Sequence, residues 1–83
     1  GHDRNEAFAD GATVELPGGA KASVGEFRDG CTGLEVYDLL ASGRTVSGLA
    51  SIEWGARMRD AAFVAELDDA GGQVQRLRWF WEG

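Results

Sequence analysis

The sequence predicts an α+β domain dominated by a strongly curved antiparallel sheet of about six strands, with little helix. Three observations carry that prediction. Apolar and polar residues alternate along most of the chain, which is the period of a strand with one buried face. Turn chemistry divides the alternating runs at Pro17-Gly18-Gly19, Ser42-Gly43-Arg44 and Asp69-Ala70-Gly71-Gly72, where glycine supplies conformations that other residues resist. Gly48 and Ala50 place small residues inside the longest run, as a bending sheet requires.

The elements follow in order. Asp3 to Asp10 has an acid at its start and Glu6 three residues later, which reads as one or two helical turns. Ala12, Val14 and Leu16 alternate with Thr13 and Glu15, and Ala20, Ala22 and Val24 resume the pattern beyond the turn; these are two short strands. Gly25 to Gly33 has room for a short helix around Glu26 to Asp29. Leu34 to Ala41 and Thr45 to Met58 read as two longer strands. In the second, Val46, Gly48, Ala50, Ile52, Trp54, Ala56 and Met58 share one face, and Ser47, Ser51, Glu53, Arg57 and Arg59 the other, with Leu49 as an exception. Asp60 turns the chain into a strand from Ala61 to Asp68, and a glycine hairpin leads to the last strand, Gln73 to Trp81. The end of that strand is apolar on both faces, so it is covered twice, in a small domain often by a second subunit.

Composition excludes several functions. With 83 residues, 14 acids and 8 Lys and Arg, the chain is one small acidic domain over residues 1–83, of net charge −6. An acidic chain with scattered arginines lacks the concentrated positive field of a nucleic-acid binder. The longest apolar run, Ala61 to Val64 and Ala65, is far short of the roughly 18–20 residues of a membrane-spanning helix; no membrane partner is expected. Gly1-His2 resemble residues left by an expression tag, and with His2 set aside the chain has no histidine and one cysteine. That removes His-based triads, Cys/His pairs and a zinc cage within one chain, so no metal and no cofactor is expected. The single free thiol fits a reducing, cytoplasmic setting. Neither Gly18-Gly19 nor Gly71-Gly72 opens a helix with the Lys and Ser/Thr of a phosphate loop.

The ordered series Phe8-Ala9-Asp10-Gly11-Ala12-Thr13-Val14-Glu15-Leu16-Pro17-Gly18-Gly19, Gly25-Glu26, Glu35-Val36-Tyr37-Asp38-Leu39-Leu40-Ala41-Ser42-Gly43-Arg44-Thr45-Val46 and Gly72-Gln73-Val74-Gln75-Arg76-Leu77 resembles the SnoaL-like branch of the nuclear transport factor 2-like superfamily. The resemblance covers nearly all of the chain from Phe8 onward. It implies a cone formed by a curved antiparallel sheet, a pocket inside the cone, and a homodimer through the sheet's outer face. Members usually begin with one or two long helices that fill the mouth of the cone; this chain starts near the end of the second and reads as shortened. In the ketosteroid isomerase branch part of the oxyanion-binding apparatus comes from that helix. The polyketide cyclase branch places its base on a late strand, where this chain has Arg76-Leu77-Arg78-Trp79-Phe80-Trp81 before Glu82. The family's Lys after the hairpin glycine is Gln73 here.

The candidate site residues each read two ways. Asp38, between Val36 and Leu40, is either a carboxylate on an apolar wall, where desolvation suits a general base, or a wet rim residue beside Arg44. Rarity of fully buried Asp favours the rim. Asp60 is the second candidate base. Arg57, Arg59, Arg76 and Arg78 form two i, i+2 pairs, either a cationic lining for an anionic ligand or partners of Glu53, Glu66 and Asp68 across strands. Trp54, Met58, Phe63, Trp79, Phe80 and Trp81 are either core or an aromatic ligand cage. Cys31 is an apolar filler with no base to activate it.

Together these readings predict a small-molecule-binding domain working as a homodimer. Its pocket is lined by Trp54, Met58, Phe63 and Phe80, with Arg78 at the rim, and takes an apolar small molecule. The alternatives are an isomerase or cyclase-type enzyme using Asp38 or Asp60 as its base, and a non-catalytic dimerisation module.

Overall fold

A computed structural model describes residues 8–69 and 72–82. Its elements are β1 (Phe8–Glu15), a short 3-10 turn (Pro17–Gly19), β2 (Lys21–Ser23), α1 (Val24–Gly30), β3 (Cys31–Ser42), β4 (Thr45–Trp54), β5 (Arg57–Leu67) and β6 (Val74–Phe80). The six strands form one sheet in the order β2-β1-β6-β5-β4-β3, the α+β sheet that the alternation predicts. The sheet is mixed and not wholly antiparallel, because β1 runs parallel to β6.

The first turn expected at the N-terminus lies mostly outside the described residues, and its end, Phe8–Asp10, is strand. The shortening that the resemblance implies likewise concerns residues outside those described. The short helix is present as α1, and its start is chemically explicit. The Ser23 hydroxyl accepts from the Glu26 backbone N–H at 3.1 Å, while the Glu26 carboxylate accepts from the Ser23 N–H at 2.8 Å. That reciprocal pair satisfies two otherwise orphaned donors and sets Phe27, the buried residue of α1, onto the sheet.

One long run in the sequence is two strands. Gly55 and Ala56 both adopt φ of +64°, forming a two-residue hairpin loop of the kind whose twist matches its flanking strands. The expected strand over Thr45 to Met58 therefore ends at Trp54, and Asp60 lies inside β5, not at a turn. The hidden turn has a consequence for faces. Trp54 pairs with Arg57, Glu53 with Met58 and Ile52 with Arg59, and directly opposed residues share a face. Met58 thus joins Glu53 on the outer face, and Arg59 joins Ile52 on the inner one.

The strands bend where their ladders slip. Register shifts occur in β3 on either side of Thr32 and at Tyr37, and in the β5–β6 and β1–β6 ladders; an extra residue on one strand of a pair bends it and increases its twist. Gly48 fits that bending. A Cβ there would overlap the Asp38 carbonyl oxygen and stand 2.9 Å from the Phe63 ring, so the small residue admits a close approach. The core gathers on the inner face: Val14 of β1, Phe27 of α1, Ala50 and Ile52 of β4, Phe63 of β5, and Trp79 of β6.

Candidate functional site

The inner face holds its aromatic residues in one connected group. Trp79 is 3% exposed and is the hub: its ring lies 5.7 Å from Phe27, stacked, 5.3 Å from Phe63, tilted, and 6.2 Å from Trp81. Phe27 also stacks on Trp54 at 5.7 Å. Ring pairs at such separations each add about 0.5–1.5 kcal/mol beyond the area they bury, so this end of the inner face is a rigid floor. Arg59 brings a cation to it: its guanidinium lies 5.5 Å from the Trp81 ring centre and donates to the Trp54 carbonyl oxygen at 3.3 Å.

Beyond Trp79 the inner face is open. Two hollows meet there, one of about 360 Å³ and one of about 290 Å³, and Leu34, Leu77 and Trp79 belong to the walls of both. The larger also takes Val36 of β3 and Phe63 and Ala65 of β5, and no residue of its lining is polar or charged. Leu34 and Val36 are 50% and 42% exposed, leucine and valine surface on a concave wall. The smaller hollow ends at Arg28 of α1 and Cys31. A concave apolar trough of this size is the usual form of a small-molecule site.

The residues singled out in the sequence divide between the two faces. Trp54 and Phe63 lie on the inner face, and Phe63 lines the larger hollow. Met58, Arg78 and Phe80 lie on the outer face, opposite Glu53, Val64 and Ala62 respectively, so the five do not line one cavity. Asp38 is outside as well. The irregularity at Tyr37 leaves Val36 opposite Ala50 and Asp38 opposite Leu49, and Val36 and Leu40, which flank it in the sequence, face opposite ways. Asp60 pairs with Ser51 on the outer face. Neither candidate base meets the trough.

The arginine pairs also separate. Arg76 and Arg78 are outer-face partners of carboxylates: Arg76 Nε donates to Glu15 at 2.7 Å and Arg78 to Glu66 at 3.2 Å. The Arg76 hydrogen bond holds the Glu15 carboxyl below its ordinary pKa, and the same bond raises that of Arg76. Arg78 thus pairs across strands with Glu66, one of the expected partners, whereas Arg76 takes Glu15, which was not among them. Burial pushes the Cys31 thiol up, and its Sγ donates to the Gly33 carbonyl oxygen at 3.5 Å, as suits an unreactive filler. Among the described residues no group of His, Cys, Asp and Glu could hold a metal ion. No helix among them is long and apolar enough to cross a membrane.

Sequence reasoning missed Leu34, Val36 and Arg28 as trough residues. The signal for the first two was present in the alternation of β3, but Tyr37 breaks its parity, and Arg28 is placed only by the packing of α1.

Neither a family model nor a curated protein matches the chain. Solved structures do. An NTF-2 like protein of unknown function from Burkholderia xenovorans LB400 has a TM-score of 0.73 at 17% identity, over 94% of this chain and 66% of that one. An NTF2-like protein of unknown function from Cytophaga hutchinsonii has a TM-score of 0.74 at 16% identity, over 94% of this chain and 71% of that one. A de novo designed NTF2 fold protein, NT-9, reaches 0.59 at 13% identity, over 90% of this chain and 63% of that one. The chain thus spans about two thirds of the length of the structures it matches. At these identities the likeness is one of fold alone: the chain has an NTF2-like fold.

Proposed function

We propose that this chain is a small-molecule-binding domain that holds an apolar ligand in the trough of its inner face and works as a homodimer. The observation that carries the reading is the larger hollow, lined without a polar or charged residue on a sheet of NTF2-like fold. Each apolar side chain that a ligand covers there contributes through removal of its surface from water, at about 25 cal/mol per Å². The SnoaL-like resemblance of the β1 and β3 motifs is part of the same reading. The enzyme alternative has less support, since Asp38 and Asp60 stand on the outer face.

Support for the homodimer comes from the outer face. Leu49, Ala62 and Phe80 lie in a row across β4, β5 and β6; on β3 the row ends at Asp38, with Leu40 two residues along and opposite Ser47, and Leu40 and Phe80 are 70% and 50% exposed. Contiguous apolar surface of this kind commonly marks an interface. Native mass spectrometry tests both parts. The expected result is a dimer that Leu49→Asp converts to monomer, together with pyrene-type probes retained by the wild type and lost in Leu34→Glu. A wild-type monomer sinks the dimer, and pyrene retention unaffected by Leu34→Glu sinks the site.

A further inference from the structure

We infer that β3 is a docking edge that takes an extended segment of another polypeptide, alternately basic and apolar, as an added strand of the sheet. β3 lies at one end of the sheet and pairs with β4 alone, so one row of its backbone N–H and C=O groups meets no strand among the described residues. Such an edge is a template for strand addition. The two edges of the sheet differ in how they are guarded. β2, at the other end, is three residues long and carries Lys21, and shortness and lysine both blunt an edge. β3 runs for 12 residues without Lys, Arg or Pro, and its Leu34, Val36, Tyr37, Leu39 and Leu40 are all exposed. The irregularities at Thr32 and Tyr37 bend the strand, but Asp38 to Ser42 pair in unbroken register with Leu49, Gly48, Ser47, Val46 and Thr45, which leaves a regular stretch for a partner.

The chemistry of the partner follows from what borders the edge on each face. On the inner side β3 presents Leu34, Val36 and Leu39, opposite Ile52, Ala50 and Gly48. On the outer side it presents Glu35 and Asp38, opposite Ser51 and Leu49, and Asp60 stands on that face across Ser51. β3 has no cation of its own to offset these acids. An added strand alternates its side chains between the faces, so the one that fits sets apolar residues beside Leu34, Val36 and Leu39 and Lys or Arg beside Glu35 and Asp38. A second copy of this chain fits poorly. Antiparallel pairing of two β3 strands keeps their outer faces together and lines the acids of both copies along one seam. Glu35 and Asp38 thereby guard the edge against self-pairing and leave it open to a basic strand. This docking site is separate from the ligand reading of the trough and does not depend on it.

The experiment follows three fluorescein-labelled octapeptides by anisotropy: alternating Lys and Val, alternating Glu and Val, and alternating Lys and Pro. The third keeps the charge of the first, but proline lacks the N–H that a ladder needs. Wild-type protein is expected to bind the Lys-Val peptide about tenfold more tightly than either of the others, with slowed amide exchange along residues 38–42. The double variant Glu35→Lys with Asp38→Lys, its fold confirmed by circular dichroism, is expected to prefer the Glu-Val peptide. Equal binding of the Lys-Val and Lys-Pro peptides overturns the inference, since attraction of charge alone then suffices. A Lys-Val preference that survives in the double variant, or exchange protection that misses β3, overturns it as well. Protection of β3 without any peptide, in a protein that is dimeric, assigns the edge to a second copy and overturns it too. None of these outcomes alters pyrene retention in the trough, so the two readings fail separately.

Discussion

The two faces of the sheet use the same residue types for different purposes. On the inner face the aromatic rings interlock around Trp79 and then stop, leaving Leu34 and Val36 of the edge strand open. On the outer face Arg76–Glu15 and Arg78–Glu66 tie β6 to β1 and β5, while exposed apolar side chains stand at Leu40 of β3, Leu49 of β4 and Phe80 at the end of β6. β6 is thus joined to both of its neighbours by ion pairs, and β3 presents apolar surface on both faces.

The sharpest way to break that contrast is to remove its anchor. Trp79→Ala deletes a ring that touches Phe27, Phe63 and Trp81, and such truncations cost about 3–5 kcal/mol. That approaches the whole stability expected of a core of this size, so the variant should be largely unfolded by circular dichroism at 25 °C. A cooperative transition retained near the wild-type midpoint would show that the floor does not depend on Trp79. A smaller effect belongs to Gly48→Ala, whose methyl would overlap the Asp38 carbonyl oxygen and press on Phe63. Overpacking of that kind costs about 1–3 kcal/mol, read as a lowered urea midpoint at unchanged slope. An unchanged midpoint would mean that the β3 irregularity relaxes freely.

These two sites also explain what the sequence made legible. Alternation and turn chemistry identify six strands and a short helix, because a half-buried strand writes its period directly into the residue order. They do not show a hairpin loop made of Gly55-Ala56, since Ala at positive φ carries no turn signature, and the loop reverses the alternation by pairing Trp54 with Arg57. Met58 was placed among the inner residues on that account, and the loop puts it opposite Glu53. Asp38 was placed on the Val36 face for a like reason, since one extra residue at Tyr37 reverses the parity. Arg28 and Leu34 meet in one hollow through the packing of α1 on the sheet, a contact between elements that no local period encodes. A site built across elements is visible to the sequence only as a list of ingredients.

The smallest effect sharpens the other side of the comparison. Glu15 on β1 accepts from Arg76 on β6 at 2.7 Å, and that hydrogen bond, ahead of the desolvation that opposes it, holds the Glu15 carboxyl below its ordinary value. A carboxyl whose folded pKa is depressed binds its proton more readily when the chain is unfolded. Its contribution is therefore fully present above the unfolded value, roughly pH 4.3, and is lost as pH falls through the lower folded value. Glu15→Gln keeps a hydrogen-bonding side chain but removes that titration. The expected outcome is a urea midpoint slightly below wild type at pH 7, with the two proteins converging on acidification as the wild-type carboxyl takes up its proton. A difference that stayed constant from pH 7 to pH 3 would mean that Glu15 acts through packing against β2 and β6 and not through its charge. The parallel pair β1–β6 would then be held by its backbone ladder and by Val14 and Leu77 alone, and the contrast between the tied β6 and the open β3 would rest on apolar packing throughout.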